Sequence, residues 1–312
     1  MGLLVDGKWV DQWYSTKESN GHFVRQDSSF RHWIHADSGE FTAQANRYHL
    51  YVSLACPWAH RTLIFRALKG LESLIDVTIV HPDMLELGWE FKPQAEPLYG
   101  YKQAHQLYSH AKADYSGRVS VPILWDKKHQ TIVSNESEDI IRMFNREFNA
   151  LTGNQDDYYP QALQDDIHHI NDFVYHNINN GVYKCGFAGT QAAYDEAVHN
   201  LFSALDKLES DLQAQPYLLG STITEADWRL FTTLIRFDAV YFGHFKCNKK
   251  QIADYPHLSR YLLDLYQQPH IKNTIHIEHI KRHYYYSHDS INPTRIIPQG
   301  IPQIFHESGA SE

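Results

Sequence analysis

Cys56 is preceded by Tyr48-His49-Leu50-Tyr51-Val52-Ser53, a run rich in β-formers, and followed directly by Pro57. Proline suits the first turn of a helix, where the missing N–H costs nothing. The order strand, Cys-Pro, helix therefore puts the thiol at a helix N-terminus. There the unpaired backbone N–H groups and the positive end of the helix favour thiolate over thiol. A cysteine so placed is expected to ionise below the ~8.5 of a free thiol and to act as a nucleophile. The plain alternative is a buried structural cysteine; the strand–Cys-Pro–helix pattern favours reactivity. Ala59 stands where a dithiol oxidoreductase would carry its second thiol. A mixed disulfide on Cys56 would then need an external thiol to resolve it, and glutathione is the abundant one in a reducing cytoplasm.

Two further segments bear on that chemistry. Val121-Pro122 lies inside an apparent strand, Val119 to Trp125. A proline there either starts an edge strand or is cis, and in the second case it would expose the Val121 backbone to a peptide-like ligand. Asn135-Glu136-Ser137 opens a helix and offers N–H groups to a carboxylate; ordinary first-turn residues would look the same.

The elements that must position these residues follow from the pattern. Leu63, Ile64, Ala67 and Leu68 mark the buried stripe of the helix after Cys56, with Gly70 as its C-cap. Val77 to Val80 is a second short strand, which completes a βαβ unit with a parallel pair. Asp126-Lys127-Lys128 turns the chain into Thr131-Ile132-Val133, a hairpin. The next helix has Asn135 and Glu138 in capping-box spacing and runs through Ile140, Ile141, Phe144 and Phe148. Residues 81–117 carry no assignable period. The polar stretch Asn149 to Tyr159 reads as a domain boundary. Beyond it the period is helical: Leu163 to Ile178, Ala197 to Leu208, a helix capped by Thr224 and Asp227, then 257–267 and 270–285. The expected organisation is an irregular arm over 1–47, packed by Trp9, Trp13, Phe30 and Trp33; an α/β domain over 48–155; an all-helical domain over 156–290; and an extended tail over 291–312.

The 312 residues are comfortable for two domains, and 43% hydrophobic with 21% charged residues indicates a packed protein. A net charge of −9 argues against nucleic acid or an anionic membrane as partner, since both draw affinity from basic patches. No apolar run approaches the ~20 residues needed to span a bilayer. The start, MGLLVDGKWV, has neither a signal-peptide pattern nor, with Asp6, a myristoylation pattern. Three cysteines do not make a disulfide scaffold, and a reducing cytoplasm is the expected compartment.

The blocks YVSLACPWAHRTLIFRALKGLE, RVSVPILWD, NESEDI, NNGVYKCGFA, FDAVYFGHFKCN and IKRHYYYSHDSINPTRIIPQG, in that order between about residues 30 and 302, resemble the glutathionyl-hydroquinone reductases, or xi-class glutathione transferases. The resemblance implies a thioredoxin-like N-terminal domain, an all-α C-terminal domain and a homodimer formed through the latter. It implies reduction of glutathionyl-hydroquinones to hydroquinones, with glutathione as co-substrate, oxidised glutathione as by-product and no metal or tightly bound cofactor. It assigns Cys56 as the nucleophile. Trp89, Arg118, Val119, Ser120, Val121, Glu136 and Ser137 become the glutathione contacts. Tyr183 and Tyr284 become the substrate-site tyrosines that handle a proton, and Tyr241 the residue that helps keep the thiolate ionised.

An omega-like thiol transferase would use the same cysteine with another acceptor, but plain disulfide exchange needs no carbon protonation and so no such tyrosines. A non-catalytic glutathione-binding module usually lacks the nucleophile. Cys185 reads as a packing residue, although its nearness to Tyr183 in sequence allows a resolving role. Cys247 has Lys246, Lys249 and Lys250 nearby, which would lower its pKa only if they were not screened, and it receives no role. His276, His279 and His283 share a helix face by spacing; with no carboxylate or thiol cluster joining them, they read as a polar face rather than a metal site.

Overall fold

The computed structural model describes residues 2–302, 304 and 305. The chain divides into two compact units. The first comprises Met1–Trp13, Gln26–Asp157 and Asn273–His283; the second comprises Tyr14–Arg25, Tyr158–Lys272 and Tyr284–Glu312. This is the expected fold class, an α/β unit and a helical one.

The first unit opens with a hairpin, β1 (Leu3–Val5) and β2 (Lys8–Val10), where an irregular arm was expected. The turn is Asp6-Gly7, both with positive φ (47° and 73°), and Asp-Gly is a strong hairpin signal that three-residue strands are too short to announce by alternation. β3 (Tyr48–Val52), α1 (Pro57–Leu68) and β4 (Asp76–Ile79) form the expected βαβ unit, with Leu50 opposite Val77 in the parallel pair. Gly70 stands just past α1 with φ 66°, the left-handed conformation that ends a helix and that glycine adopts without steric cost.

The unassigned segment contains α2 (His105–Ala111) and β5 (Gly117–Arg118), which pairs with β1. β6 (Ile123–Asp126) and β7 (Thr131–Ser134) are the expected hairpin, but β6 starts at Ile123 rather than Val119: residues 119–122 are not strand, and the Val121–Pro122 bond is cis. The order in the main sheet is β4-β3-β6-β7. Its centre is fully buried at Leu50, Val52, Ile123, Leu124 and Trp125, with Arg47 and Asp126 as a buried ion pair at 2.6 Å.

α3 (Ser137–Arg146) is capped by Glu136 and not by Asn135: the Glu136 side chain accepts from the Glu138 N–H at 3.1 Å. Asn135 instead uses its side chain to accept from Phe30 N and to donate to the Tyr108 hydroxyl. Phe148 lies beyond α3, and α4 (Asn149–Thr152) adds one turn to the polar stretch read as a domain boundary.

The second unit is helical. The helical segment expected over Leu163 to Ile178 is α5 (Gln164–Val174) continued by a wider helical turn, Tyr175–Asn179, which leads into α6 (Gly181–Gly186). α7 (Gln191–Ala214), α8 (Glu225–Arg236), α9 (Phe242–His244) and α10 (Pro256–Tyr266) follow. Leu201, Leu205, Leu208 and Leu212 of α7 form its fully buried stripe. The helix expected over 270–285 is a short tight turn, Ile271–Thr274, followed by α11 (Ile277–Ser287), whose residues fall in the first unit up to His283 and in the second from Tyr284. The tail has neither helix nor strand from Ile291 to Pro302; the expectation for Gln303 and 306–312 lies outside the described residues. Among the described residues, no helix is long and apolar enough to cross a membrane, and no group of three histidine, cysteine or acidic side chains could hold a metal.

Candidate active site

Cys56 is the N-cap of α1, with extended backbone, Pro57 in the first turn and no acidic side chain there. Its thiol makes no capping bond. The side chain is partly exposed, and the S–H points at the Val121 carbonyl oxygen, 3.5 Å away. The helix end thus faces a sulfur and not a carboxylate, so its positive end acts on the thiol.

The other sequence-predicted residues take distinct places in the first unit. Val119 and Val121 are buried. Ser120 has both backbone groups turned toward Tyr108: the Tyr108 hydroxyl donates to Ser120 O at 2.8 Å, and Ser120 N lies 3.2 Å from the same hydroxyl. Burial pushes the Tyr108 phenol up, so it remains a donor. An Arg118 guanidinium nitrogen donates to the Gln12 carbonyl. Glu136 accepts from Ser28 Oγ at 3.0 Å as well as capping α3, and Ser137 is the first residue of that helix. Trp89 is buried, with one face stacked on His283 at 4.9 Å and 24°. His283 is held in turn by Pro82 O at 2.8 Å from Nδ1. So His283 is a buried support for Trp89, not part of a polar face, and His276 lies outside α11 altogether.

Sequence reasoning passed over Arg61. It stands one turn past Cys56 on α1 and is only 2% exposed. Its guanidinium lies 4.5 Å over the Trp58 ring, and Nη1 is 3.3 Å from Ser137 Oγ. A buried arginine on the helix that starts at Cys56 is the signal, and it lies inside the block CPWAHR; nothing in the periodicity marks it, since the stripe reasoning counts apolar residues only.

The second unit holds the tyrosines. Tyr183, on α6, shares a hydrogen bond of 2.6 Å with the hydroxyl of Tyr284, and Tyr241 stands 3.0 Å from that same hydroxyl. Tyr241 and Tyr284 are buried, and burial pushes both phenols well above their ordinary range, with the Arg236 charge pulling partly the other way. Phe187 and Phe245 pack on the Tyr183 ring, and Gly186 lets Phe245 come close: a Cβ there would sit 2.3 Å from the ring. Of the three consecutive tyrosines, Tyr284 is the one bonded to Tyr183; the Tyr285 hydroxyl turns to Ala239 O. Cys185 and Cys247 are both buried. Burial and a hydrogen bond with Cys185 push the Cys247 thiol well up, so the neighbouring lysines do not activate it.

Residues 55–147 match the model of the glutathione S-transferase N-terminal domain and residues 191–263 that of the C-terminal domain. Glutathionyl-hydroquinone reductase YqjG of Escherichia coli K12 is 54% identical over 96% of this chain and 95% of its own. The glutathione-bound structure of YqjG superimposes with a TM-score of 0.89, covering 97% of this chain and 96% of that one. Glutathionyl-hydroquinone reductase PcpF of Sphingobium chlorophenolicum is 50% identical over 97% of each chain. The glutathione-S-transferase Xi from Phanerochaete chrysosporium matches at 51% identity with a TM-score of 0.88, over 90% of this chain and 98% of that one. With its Cys-Pro helix start in a mixed four-stranded sheet and its bonded tyrosines in a helical unit, the chain belongs to the xi-class glutathione transferases, the family of the glutathionyl-hydroquinone reductases.

Proposed function

We propose that this protein reduces glutathionyl-hydroquinones to hydroquinones with glutathione, through a mixed disulfide on Cys56. The observation that carries the reading is the partly exposed Cys56 thiol at the start of α1, in a turn whose fourth residue is Ala59 and not a second cysteine. The relatives YqjG and PcpF are glutathionyl-hydroquinone reductases, which supports it.

The Cys56 thiolate attacks the glutathionyl sulfur. A new S–S bond forms, the carbon–sulfur bond breaks, and its electron pair stays on the aromatic carbon. Tyr183 gives its proton to that carbon, and Tyr284 donates to the phenolate oxygen left behind. Tyr241 backs Tyr284 in the same chain of hydroxyls; its hydrogen bond supports this role rather than one at the thiolate. A second glutathione attacks the mixed disulfide, releases oxidised glutathione and restores the Cys56 thiolate, and its thiol proton returns to Tyr183.

For glutathione itself, Glu136 suits the α-ammonium of the γ-glutamyl group, since a carboxylate there would repel a second carboxylate. The start of α3 at Ser137 suits the α-carboxylate, and the buried Arg61 cation beside Ser137 Oγ favours the same negative charge. Val121 suits backbone pairing with the cysteinyl residue. Trp89 forms an apolar wall, and Arg118 supplies charge toward the remaining carboxylate, with Val119 and Ser120 holding the segment in place. A homodimer and a reducing cytoplasmic setting complete the proposal, since a free reactive thiol is kept reduced in the latter.

Mass spectrometry after mixing the protein with one equivalent of a glutathionyl-hydroquinone tests the first half-reaction. A glutathione adduct on Cys56 with release of free hydroquinone is expected. Steady turnover by the Cys56→Ala protein would overturn the scheme.

A further inference from the structure

The segment Tyr14–Arg25 belongs to the helical unit, and it ends on a cation. It is anchored there by Gly189 N donating to Gly21 O at 2.8 Å and by Thr190 Oγ1 donating to Asn20 O at 3.3 Å. Phe23, buried at 4% exposure, stacks near Tyr183 at 6.3 Å between ring centroids. Arg25 follows. Its Nε donates to the side-chain oxygen of Asn180, the residue before α6, at 3.0 Å. Its guanidinium carbon then lies 4.8 Å from the centre of the Tyr183 ring, the distance of a cation over an aromatic face.

We propose that Arg25 is a positioning residue for the proton transfer: its guanidinium, held over the face of Tyr183 by Asn180, stabilises the phenolate that Tyr183 becomes when it protonates the departing carbon. The inference rests on the proton-donor reading of Tyr183 above and deepens it. When Tyr183 loses its proton, the O–H bond breaks, its electron pair stays on oxygen and spreads into the ring, and the new C–H bond forms on the hydroquinone. A cation over the ring is attracted more strongly by that anion than by the neutral phenol, so it helps the transition state more than the resting state. Tyr284 acts on the same charge from the edge, through its O–H at 2.6 Å. The two stabilisers approach Tyr183 from different directions and do not compete. The arm, which shows no periodicity in sequence, thereby gains a catalytic purpose.

The test compares two substrates. A glutathionyl-hydroquinone needs carbon protonation, whereas hydroxyethyl disulfide needs only thiol exchange at Cys56. Arg25→Gln is expected to lower kcat on the hydroquinone by about 10-fold, with Arg25→Lys recovering part of it, and to leave disulfide reduction at its original rate. Removing the cation makes Tyr183 hold its proton more tightly, so the alkaline limb of the hydroquinone kcat profile moves to higher pH even as the rate falls; Tyr241, Tyr284 and, acting on both, Arg236 are unchanged in this comparison. Arg25→Gln added to Tyr183→Phe is expected to cost nothing further. Equal losses on both substrates, or an unmoved alkaline limb, would show a merely structural arginine and overturn the inference. Full hydroquinone activity in Tyr183→Phe would overturn the proton-donor reading and the inference with it. An impaired Tyr183→Phe beside an unimpaired Arg25→Gln would overturn the inference alone.

Discussion

The hydroxyl of Tyr284 lies 2.6 Å from that of Tyr183 and 3.0 Å from that of Tyr241, so one phenol is shared by two others. Burial keeps Tyr284 protonated far beyond neutral pH, which makes it a permanent donor. In the proposed mechanism, removing that O–H leaves Tyr183 able to give up its proton but with one stabiliser fewer for the charge it then carries. Tyr284→Phe is expected to lower kcat on a glutathionyl-hydroquinone by about 100-fold, in the range for one acid–base or oxyanion contact. Tyr286→Phe is the control, as its neighbour the Arg295 guanidinium lies over the ring and not at the hydroxyl cluster. Steady-state kinetics on both variants would decide it; equal losses would mean that the tyrosine run matters for packing and not for the shared hydroxyl.

The three thiols differ in environment enough to be counted separately. Cys56 is partly exposed at a helix N-terminus, whereas Cys185 and Cys247 are buried and burial raises the Cys247 thiol further. One rapid equivalent per chain is expected with an aromatic disulfide reagent on the native protein, and three after denaturation in guanidinium chloride. The rapid phase should vanish in Cys56→Ser. Its rate against pH reports the ionisation of Cys56. In the neutral form the S–H is directed at the Val121 carbonyl, so ionisation gives up that contact in exchange for the field of α1. A midpoint at or above the free-thiol value of ~8.5 would mean that the carbonyl prevails over the helix.

How far these features were legible in the sequence depends on the range of the interaction that makes them. The βαβ unit, the Cys-Pro start of α1 and the Thr224–Asp227 cap were readable because each rests on neighbours within a few residues. The N-cap of α3 was misplaced by one residue because Asn135 and Glu136 are both capable caps, and the choice fell to distant partners: Phe30 and Tyr108 occupy the Asn135 side chain. The Asp6-Gly7 hairpin was readable and overlooked, since three-residue strands carry no period. His283 under Trp89 and Arg25 over Tyr183 were not readable at all. Each pairs residues more than a hundred positions apart, and no local propensity encodes such a contact.

Acid should weaken the fold through His49. The ring is 3% exposed in β3 with Nε2 2.7 Å from Thr78 Oγ1, and burial lowers its pKa from 6.5 to about 4. Nδ1 is buried with no hydrogen-bond partner among the described residues, so a second ring proton would have nothing to bind. The unfolded chain takes up a proton near pH 6.5 that the folded chain refuses until about pH 4. The contribution is therefore full above the unfolded pKa and lost as pH falls through it, by about 2 kcal/mol at pH 5. Urea unfolding at pH 7 and pH 5 measures it. His49→Gln, which keeps a donor for Thr78 and cannot titrate, is expected to shrink the difference between the two pH values by that amount; an unchanged difference would place the acid sensitivity elsewhere.

The cap of α8 is the last place where one side chain carries much of a unit. The fully buried Asp227 carboxylate accepts from Thr224 N at 2.8 Å, Leu218 N at 2.9 Å, Tyr261 O–H at 3.0 Å and Thr224 Oγ at 3.1 Å. Burial pushes the carboxyl up and those four donors pull it back, so the site is built around an acceptor. Asp227→Ala would strand all four donors in a buried place where water does not replace the lost oxygen atoms. The expected cost is about 4 kcal/mol, a large share of a typical domain's stability. Asp227→Asn keeps one acceptor oxygen and turns the other into a donor that faces donors, so an intermediate loss is expected. Urea midpoints for the wild type and both variants should fall in that order, with the transition of the helical unit shifting most. Equal midpoints for Asp227→Ala and wild type would mean that α8 is held by the burial of Leu230, Phe231 and Leu234 alone.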